Sequence, residues 1–279
     1  MPRQILTVGH DAELFLYDEN NNAYPSVGLV GGSKQCPREV KGGAVQEDNV
    51  MAEINIEPAT TSKQFLNRTN QVLESLTTIL KAHGLTYKLM DFENFEPEFL
   101  KSAQAKVFGC DPDYNVYTLE QNVVDSSELK RNNIRTAGGH IHVGLSDPDF
   151  HPMARASIVK GCDFYIGLPL TVLECESRRK AFYGKAGSFR RKEYGIEYRT
   201  PSNIWLSTDY TKQWIFHQVK LIIGELTFSL PNDEPTRYER SIREIGENTV
   251  QDIINGGLVD DAHDLCQNYG IEIPTLERE

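Results

Sequence analysis

Residues Arg135–Leu145 read RTAGGHIHVGL, and the fold can be worked out from this stretch. A β-strand sends alternate side chains to opposite faces, so His140 and His142 share one face and Ile141 and Val143 the other. A half-buried strand usually sets apolar residues against plain solvated ones. Here the polar positions are metal-ligand types. Gly138, Gly139 and Gly144 flank them, which suits close approach by backbone or ligand.

Three other segments repeat the pattern. In GHDAELFLYD, Asp11 and Glu13 lie on one face and Ala12 and Leu14 on the other. In NVMAEINIEPA, Glu53, Asn55 and Glu57 alternate with Ile54 and Ile56. In EYGIEYRTPSNIWL, Glu197 and Arg199 alternate with Ile196 and Tyr198. Taken alone, each is adequately read as the solvated face of an antiparallel strand. Taken together, four such strands curled into one sheet collect at least four carboxylates, two imidazoles and a guanidinium. Carboxylates that close repel one another unless cations sit among them. An oxygen-dominated set with imidazole suits Mg²⁺ or Mn²⁺ better than zinc, which prefers more His and Cys.

A carboxylate-held metal cluster with a convergent arginine suits phosphoryl transfer. The segment GKAGSFRRKEYG adds Lys185, Arg190, Arg191 and Lys192, cations suited to a polyphosphate or an anionic substrate. No G-x-x-x-x-G-K-[ST] loop is present, so a nucleotide would lie on a sheet rather than in a phosphate-binding loop.

The rest of the chain frames these strands. From Thr61 the pattern turns helical, with Thr61 or Ser62 as N-cap, a stripe from Phe65 to Leu80, and Gly84 as stop. A strand is expected near Thr86–Met90, and a loop-rich stretch from Phe92 to Asn133. A long helix is expected from Pro152 to about Cys175, kinked near Pro169, and three more over 209–229, 235–255 and 260–269. The class is α+β: a sheet built from separated strands with helices packed on one side, in a single domain spanning 1–279. Its motifs lie within 8–206 and a helical part covers 208–279.

The 279 residues carry 40 acids against 29 Lys and Arg, a net charge of −11. That balance argues against a nucleic-acid binder or an anionic membrane surface and is compatible with a cation site. The N-terminus does not read as a secretory signal, and no run of about 18 apolar residues predicts a transmembrane helix. Cys36, Cys110, Cys162, Cys175 and Cys266 show no C-x-x-C spacing, and free thiols in a reducing cytoplasm are the plain reading.

VGHDAELFL, GGAVQEDNVMAEINIEPA, FGCDPDYN, RTAGGHIHVG and GKAGSFRRKEYGIEYRTPSNIWL, in that order, resemble the phage-type carboxylate–amine ligases (COOH–NH2 ligase type 2) of the glutamine synthetase and glutamate–cysteine ligase superfamily. The resemblance runs from about Val8 to Leu206. It implies a half-barrel of curved antiparallel sheet, ATP at one end, substrates at the other, and two or three Mg²⁺ or Mn²⁺ between them. It also implies phosphorylation of a carboxylate and attack by an amine on the acyl-phosphate. The substrates would be a small-molecule or peptide carboxylate and an amine. The location would be cytoplasmic, the host's if the chain is phage-encoded, and a homo-oligomer stays open.

Position by position, the resemblance makes Asp11, Glu13, Glu53 and Glu197 metal ligands. It makes His140 the histidine on the phosphate-side metal and His142 the one near the nucleotide. Arg199 would contact the transferring phosphoryl group, with Arg190 and Arg191 as phosphate or substrate arginines. Asp48 or Glu47 would complete the metal set. Glu57 is a further ligand candidate and, with Glu47 and Asp48, a candidate general base. Asn203 either lines the site or holds a turn. Three other readings stand beside this one: a cupin-like mononuclear metal enzyme built on His140, His142 and Glu197; a guanidino-kinase-like phosphotransferase on a related sheet; and a non-catalytic binding protein.

Overall fold

The computed structural model describes residues 5–106, 113–123, 127–146, 152–174, 178–232 and 234–276. The motif stretch Phe108–Pro112, together with Cys110 and Cys175, lies outside these residues, and Asp113–Asn115 lie inside.

Eight strands form the main path of an open sheet. They are β1 (Leu6–Tyr17), β2 (Arg38–Val40), β3 (Gly43–Asp48), β4 (Met51–Ile56), β5 (Tyr114–Asn115), β6 (Gly139–Leu145), β7 (Ser188–Lys192) and β8 (Gly195–Tyr198). Their order across the sheet is β2-β3-β4-β1-β6-β8-β7-β5, with every neighbour antiparallel. Two short strands, Ala23–Tyr24 and Thr86–Lys88, pair with the far end of β1. The four ligand-bearing segments are therefore the four adjacent central strands β4, β1, β6 and β8. The class is α+β, as the alternation predicts.

One face of this sheet is the core. Val8, Ala12, Leu14, Ile54, Ile141, Val143, Ile196 and Tyr198 pack with helix side chains such as Phe65, Leu76, Ile158, Phe164, Trp214 and Ile222. Burying each large aliphatic contributes about 1.5–3 kcal/mol. His10 is the polar exception on this face: its Nε2 lies 2.9 Å from Thr69 Oγ1, with Phe65 and Trp205 edge-on around the ring. Burial drives its pKa down to about 3, so it stays neutral.

Helix α1 (Ser62–Lys81) begins where expected: the Thr61 side chain caps it, accepting from the Gln64 N–H. The long helix is broken differently from expectation. α2 (Pro152–Cys162) passes through a π-helical turn at Asp163–Gly167 before α3 (Leu168–Leu173). Pro169 has no N–H to give the preceding turn, and the Leu168 N–H reaches back to the Asp163 carbonyl. By length and composition Met153–Leu173 is apolar enough to cross a membrane, contrary to the expectation that no such segment exists, and 78% of that window is buried inside the fold.

α4 (Arg178–Phe182) follows, then α5 (Asp209–Ser229), which starts in a capping box between Thr208 and Thr211. The helix expected over 235–255 is two, α6 (Arg237–Ile245) and α7 (Glu247–Gly256). They are separated by Gly246, whose φ of 97° a side chain disfavours. α8 (Val259–Tyr269) closes the helical layer. Cys36, Cys162 and Cys266 are free, the last two buried.

Candidate active site

The strand registers assemble the site. Asp11 lies opposite His140 on one side and Asn55 on the other; Glu13 lies opposite Glu53, Glu53 opposite Gln46, His142 opposite Glu197, and Glu197 opposite Arg190. Directly opposed residues on antiparallel strands share a face. The polar face therefore runs unbroken across five strands and onto a sixth. Gly138 and Gly139 make the turn into β6 possible. A Cβ on Gly139 would stand 2.3 Å from the Ser202 carbonyl oxygen, and one on Gly138 would stand 2.3 Å from His140 Nε2. The Gly138 N–H donates to Glu13 Oε2 at 2.6 Å.

Two groups of metal-ligand side chains form on this face. Glu13, Asp48 and Glu53 bring carboxylate oxygens within 4.8 Å of one another, as do Asp11, His142 and Glu197 with their own ligand atoms. In the first group, Glu53 accepts from Gln46 Nε2 at 2.7 Å and from Asn55 Nδ2 at 3.3 Å. Burial, and next the Asp48 charge, push the Glu13 pKa up to about 8, so without a cation Glu13 holds a proton at neutral pH.

In the second group, burial alone would raise the Asp11 carboxyl, but His142 and His140 hold it well below the usual range. His140 Nδ1 lies 2.9 Å from Asp11 Oδ1, and its Nε2 lies 2.9 Å from the Tyr183 hydroxyl. Burial, with Arg199 nearby, drives His140 down to about 3. His142 Nδ1 meets the Tyr194 hydroxyl at 2.8 Å. Its Nε2 is buried 3.2 Å from Asp11 Oδ2; burial alone would lower the His142 pKa, but that carboxylate raises it.

Glu197 is fully buried among cations: Arg190 Nη1 at 3.2 Å, Lys192 Nζ at 2.7 Å, and Arg199 Nη1. Arg199 stacks its guanidinium 5.1 Å from the Tyr183 ring centre and lies 3.6 Å from Asp113 Oδ2. Its Nη2 is buried with no hydrogen-bond partner among the described residues. A buried donor left unpaired is costly, and a negatively charged oxygen would satisfy it.

The sequence-based candidates divide. Asp11, Glu13, Asp48, Glu53, His140, His142, Arg190, Glu197 and Arg199 come together. Glu57 does not: β4 ends at Ile56, and Glu57 is exposed, paired with Arg68 of α1 at 3.2 Å. Arg191 alternates to the opposite side of β7, beside Ile196, and is exposed. Glu47 points away from Asp48 and accepts the Gly28 and Gly31 N–H groups, holding a loop. Asn203 braces the site from behind, donating to the Glu13 and Met90 carbonyls. Lys185 is exposed.

Tyr183, Tyr194, Gln46 and Asp113 were missed as site residues. Gln46 was in reach, since it alternates with Glu47 two residues before Asp48. Nothing in the local pattern marks Tyr183, which arrives from the segment after α4.

Among solved structures, the chain is similar to GmaS without ligand at 12% identity, covering 99% of this chain and 72% of that one, with a TM-score of 0.39. A novel glutamine synthase homolog is similar at 10% identity, with 95% and 66% covered and a TM-score of 0.43. A GmaS/ADP complex is similar at 12% identity, with 99% and 72% covered and a TM-score of 0.37. No curated protein sequence matches. The family model that does match is that of the phage phiEco32-like COOH.NH2 ligase-type 2 proteins, over residues 126–240, so the resemblance read from the motifs holds across the histidine strand, both arginine-bearing strands and the start of the helical tail.

Proposed function

We propose that this face is the active site of an ATP-dependent carboxylate–amine ligase. The observation that carries the reading is the juxtaposition of two partly buried acidic groups with Arg199, whose Nη2 is buried and has no hydrogen-bond partner among the described residues. The donor set fits Mg²⁺ or Mn²⁺. Glu13 is held protonated because it is buried and its neighbours are acidic, and His142 Nε2 and Asp11 Oδ2 meet 3.2 Å apart beside Glu197. Glu13, Asp48 and Glu53 would hold one ion, and Asp11 and Glu197 with a histidine another. There the ions would neutralise phosphate oxygens.

In this reading the γ-phosphoryl group passes from ATP to a carboxylate oxygen, leaving ADP and an acyl-phosphate. Arg199 donates to the equatorial oxygens as charge develops, and Arg190 and Lys192, both beside Glu197, bind the polyphosphate. The amine nitrogen then attacks the carbonyl carbon; the C–N bond forms, the C–O bond to phosphate breaks, and a base takes the ammonium proton. Glu47 and Glu57 face away from the cluster, and Asp48 would already hold an ion.

The test is phosphate release from ATP with Mg²⁺ and pools of acids and amines. Release that needs both an acid and an amine supports the ligase. Release with a guanidine alone transfers the assignment to a kinase, and a protein that binds no nucleotide in the presence of metal refutes the ligase reading.

A further inference from the structure

In a ligase the amine needs a base, and the acids of the two metal groups would be engaged by ions. Asp113 belongs to neither group. It is the last acid of the FGCDPDYN stretch, to which the metal groups give no task. Strand β5 pairs with β7 through Tyr114 opposite Phe189 and Asn115 opposite Ser188. Continuing that register by one residue puts Asp113 opposite Arg190, and opposed residues share a face. The polar face therefore ends in a carboxylate at the edge of the sheet, with Arg190 and Arg199 between it and the acidic groups.

Asp113 is only 9% exposed. Its carbonyl accepts from the Asn122 N–H at 2.9 Å, and the Asn122 side chain also bonds its carboxyl. Its Oδ2 lies 3.6 Å from Arg199 Nε, too far for a hydrogen bond, and that buried Nε has no hydrogen-bond partner among the described residues. The ion pair is thus loose. Burial raises the Asp113 pKa although Arg199 and Arg190 both pull it down. Phosphate oxygens that draw the two guanidiniums toward themselves would weaken that pull and raise its proton affinity further.

We propose that Asp113 is the base that receives the proton of an amine substrate, which enters as an ammonium ion at the arginine end of the polar face. The assignment rests on the ligase reading. There Arg199 contacts the transferring phosphoryl group, and the acyl carbon lies one oxygen beyond the phosphorus. An amine poised to attack that carbon stands within reach of the carboxylate beside Arg199. The ammonium gives one proton to Asp113, and the freed lone pair attacks the carbonyl carbon. The C–O bond to phosphate breaks, and the second proton lost on forming the amide leaves with the phosphate. Asp113 returns its proton to solvent.

The full chain is assayed with ATP, Mg²⁺ and the pool of acids, with either the pool of primary amines or hydroxylamine as nucleophile. Primary amines are almost wholly protonated at neutral pH and need the base, whereas hydroxylamine is largely neutral and attacks without it. In Asp113→Asn the ratio of hydroxamate to amide formation should rise about 100-fold over wild type, the lower end of what a positioned base contributes. In Asp113→Ala, a second variant, added formate should restore part of the amide formation. An unchanged ratio in an active enzyme, both products falling together, would mean that Asp113 only holds Arg199 and overturns this assignment alone. A wild type that makes neither product refutes the ligase reading and this assignment with it.

Discussion

Asp163 offers a test of the packing that needs no substrate. It sits in the π-helical turn, fully buried, and accepts from the Tyr198 hydroxyl at 2.7 Å and the Tyr117 hydroxyl at 3.0 Å. Burial pushes its pKa from 3.8 to about 6, against the pull of those two hydroxyls. A carboxyl whose pKa is raised on folding binds its proton more tightly in the native state. Its contribution is therefore fully present below pH 3.8 and is lost as pH rises through about 6. At about 1.4 kcal/mol per tenfold change in proton affinity, the interval amounts to about 3 kcal/mol. Asp163→Asn keeps the size and an acceptor for Tyr198, and it cannot titrate. Urea denaturation of both proteins from pH 4 to pH 7.5 cancels every titration they share. The stability of Asp163→Asn relative to wild type should rise by about 2.4 kcal/mol across that range, since pH 4 already lies just above the unfolded pKa. Parallel curves would refute the argument, because they would mean that Asp163 titrates alike folded and unfolded and that its enclosure is not what the fold implies.

Other outcomes follow from the same geometry. His10 has the opposite sign: its pKa is lowered from 6.5 to about 3, so wild type should lose stability relative to His10→Gln as pH falls below about 6.5, by up to about 1.4 kcal/mol per pH unit in acid denaturation series. Mg²⁺ or Mn²⁺ at a hundredfold excess over its Kd should stabilise wild type by about 2.7 kcal/mol in calorimetric melts, and Glu13→Gln should lose most of that gain. Glu197→Gln should abolish turnover with the circular dichroism spectrum unchanged, while Glu57→Gln and Arg191→Ala should keep turnover within about twofold. Gly139→Ala should cost about 3 kcal/mol or more in denaturant melts, because its Cβ would meet the Ser202 carbonyl and Trp205 Nε1.

Much of this sheet can be read from the period of two. Asp11, Glu13, Glu53, His140, His142 and Glu197 alternate with aliphatic residues, and that alternation fixes which side of the sheet each takes before any neighbour is known. The same rule separates the adjacent residues Arg190 and Arg191, and Glu47 from Asp48, since neighbours on a strand cannot share a face. Of the two arginines, only Arg190 therefore lies beside Glu197. Glu57 fails for another reason. Its parity is right, but the strand ends one residue earlier, and Arg68, eleven residues further along in α1, takes up its charge. Strand ends are set by what the next element packs against, which local alternation does not encode.

The chemistry within the face is a further step removed from the sequence. What each histidine meets at its second nitrogen is set by distant residues: Tyr183 and Tyr194 lie 43 and 52 residues from His140 and His142. The acidic composition is equally uninformative about where charge is compensated. Burial and the Asp11 charge raise Glu197 even with Arg190, Lys192 and Arg199 around it, and burial and the Asp48 charge raise Glu13 to about 8. On the proposed reading, an added cation would relieve both groups, and the group of Glu13, Asp48 and Glu53 has fewer side-chain cations of its own. At Glu197 three side-chain cations supply positive charge, and a bound polyphosphate would draw them toward itself. The net charge of −11 raises the expectation of a metal site, and the register of β3, β4 and β1 brings together the carboxylates of Glu13, Asp48 and Glu53 on which the proposed site rests.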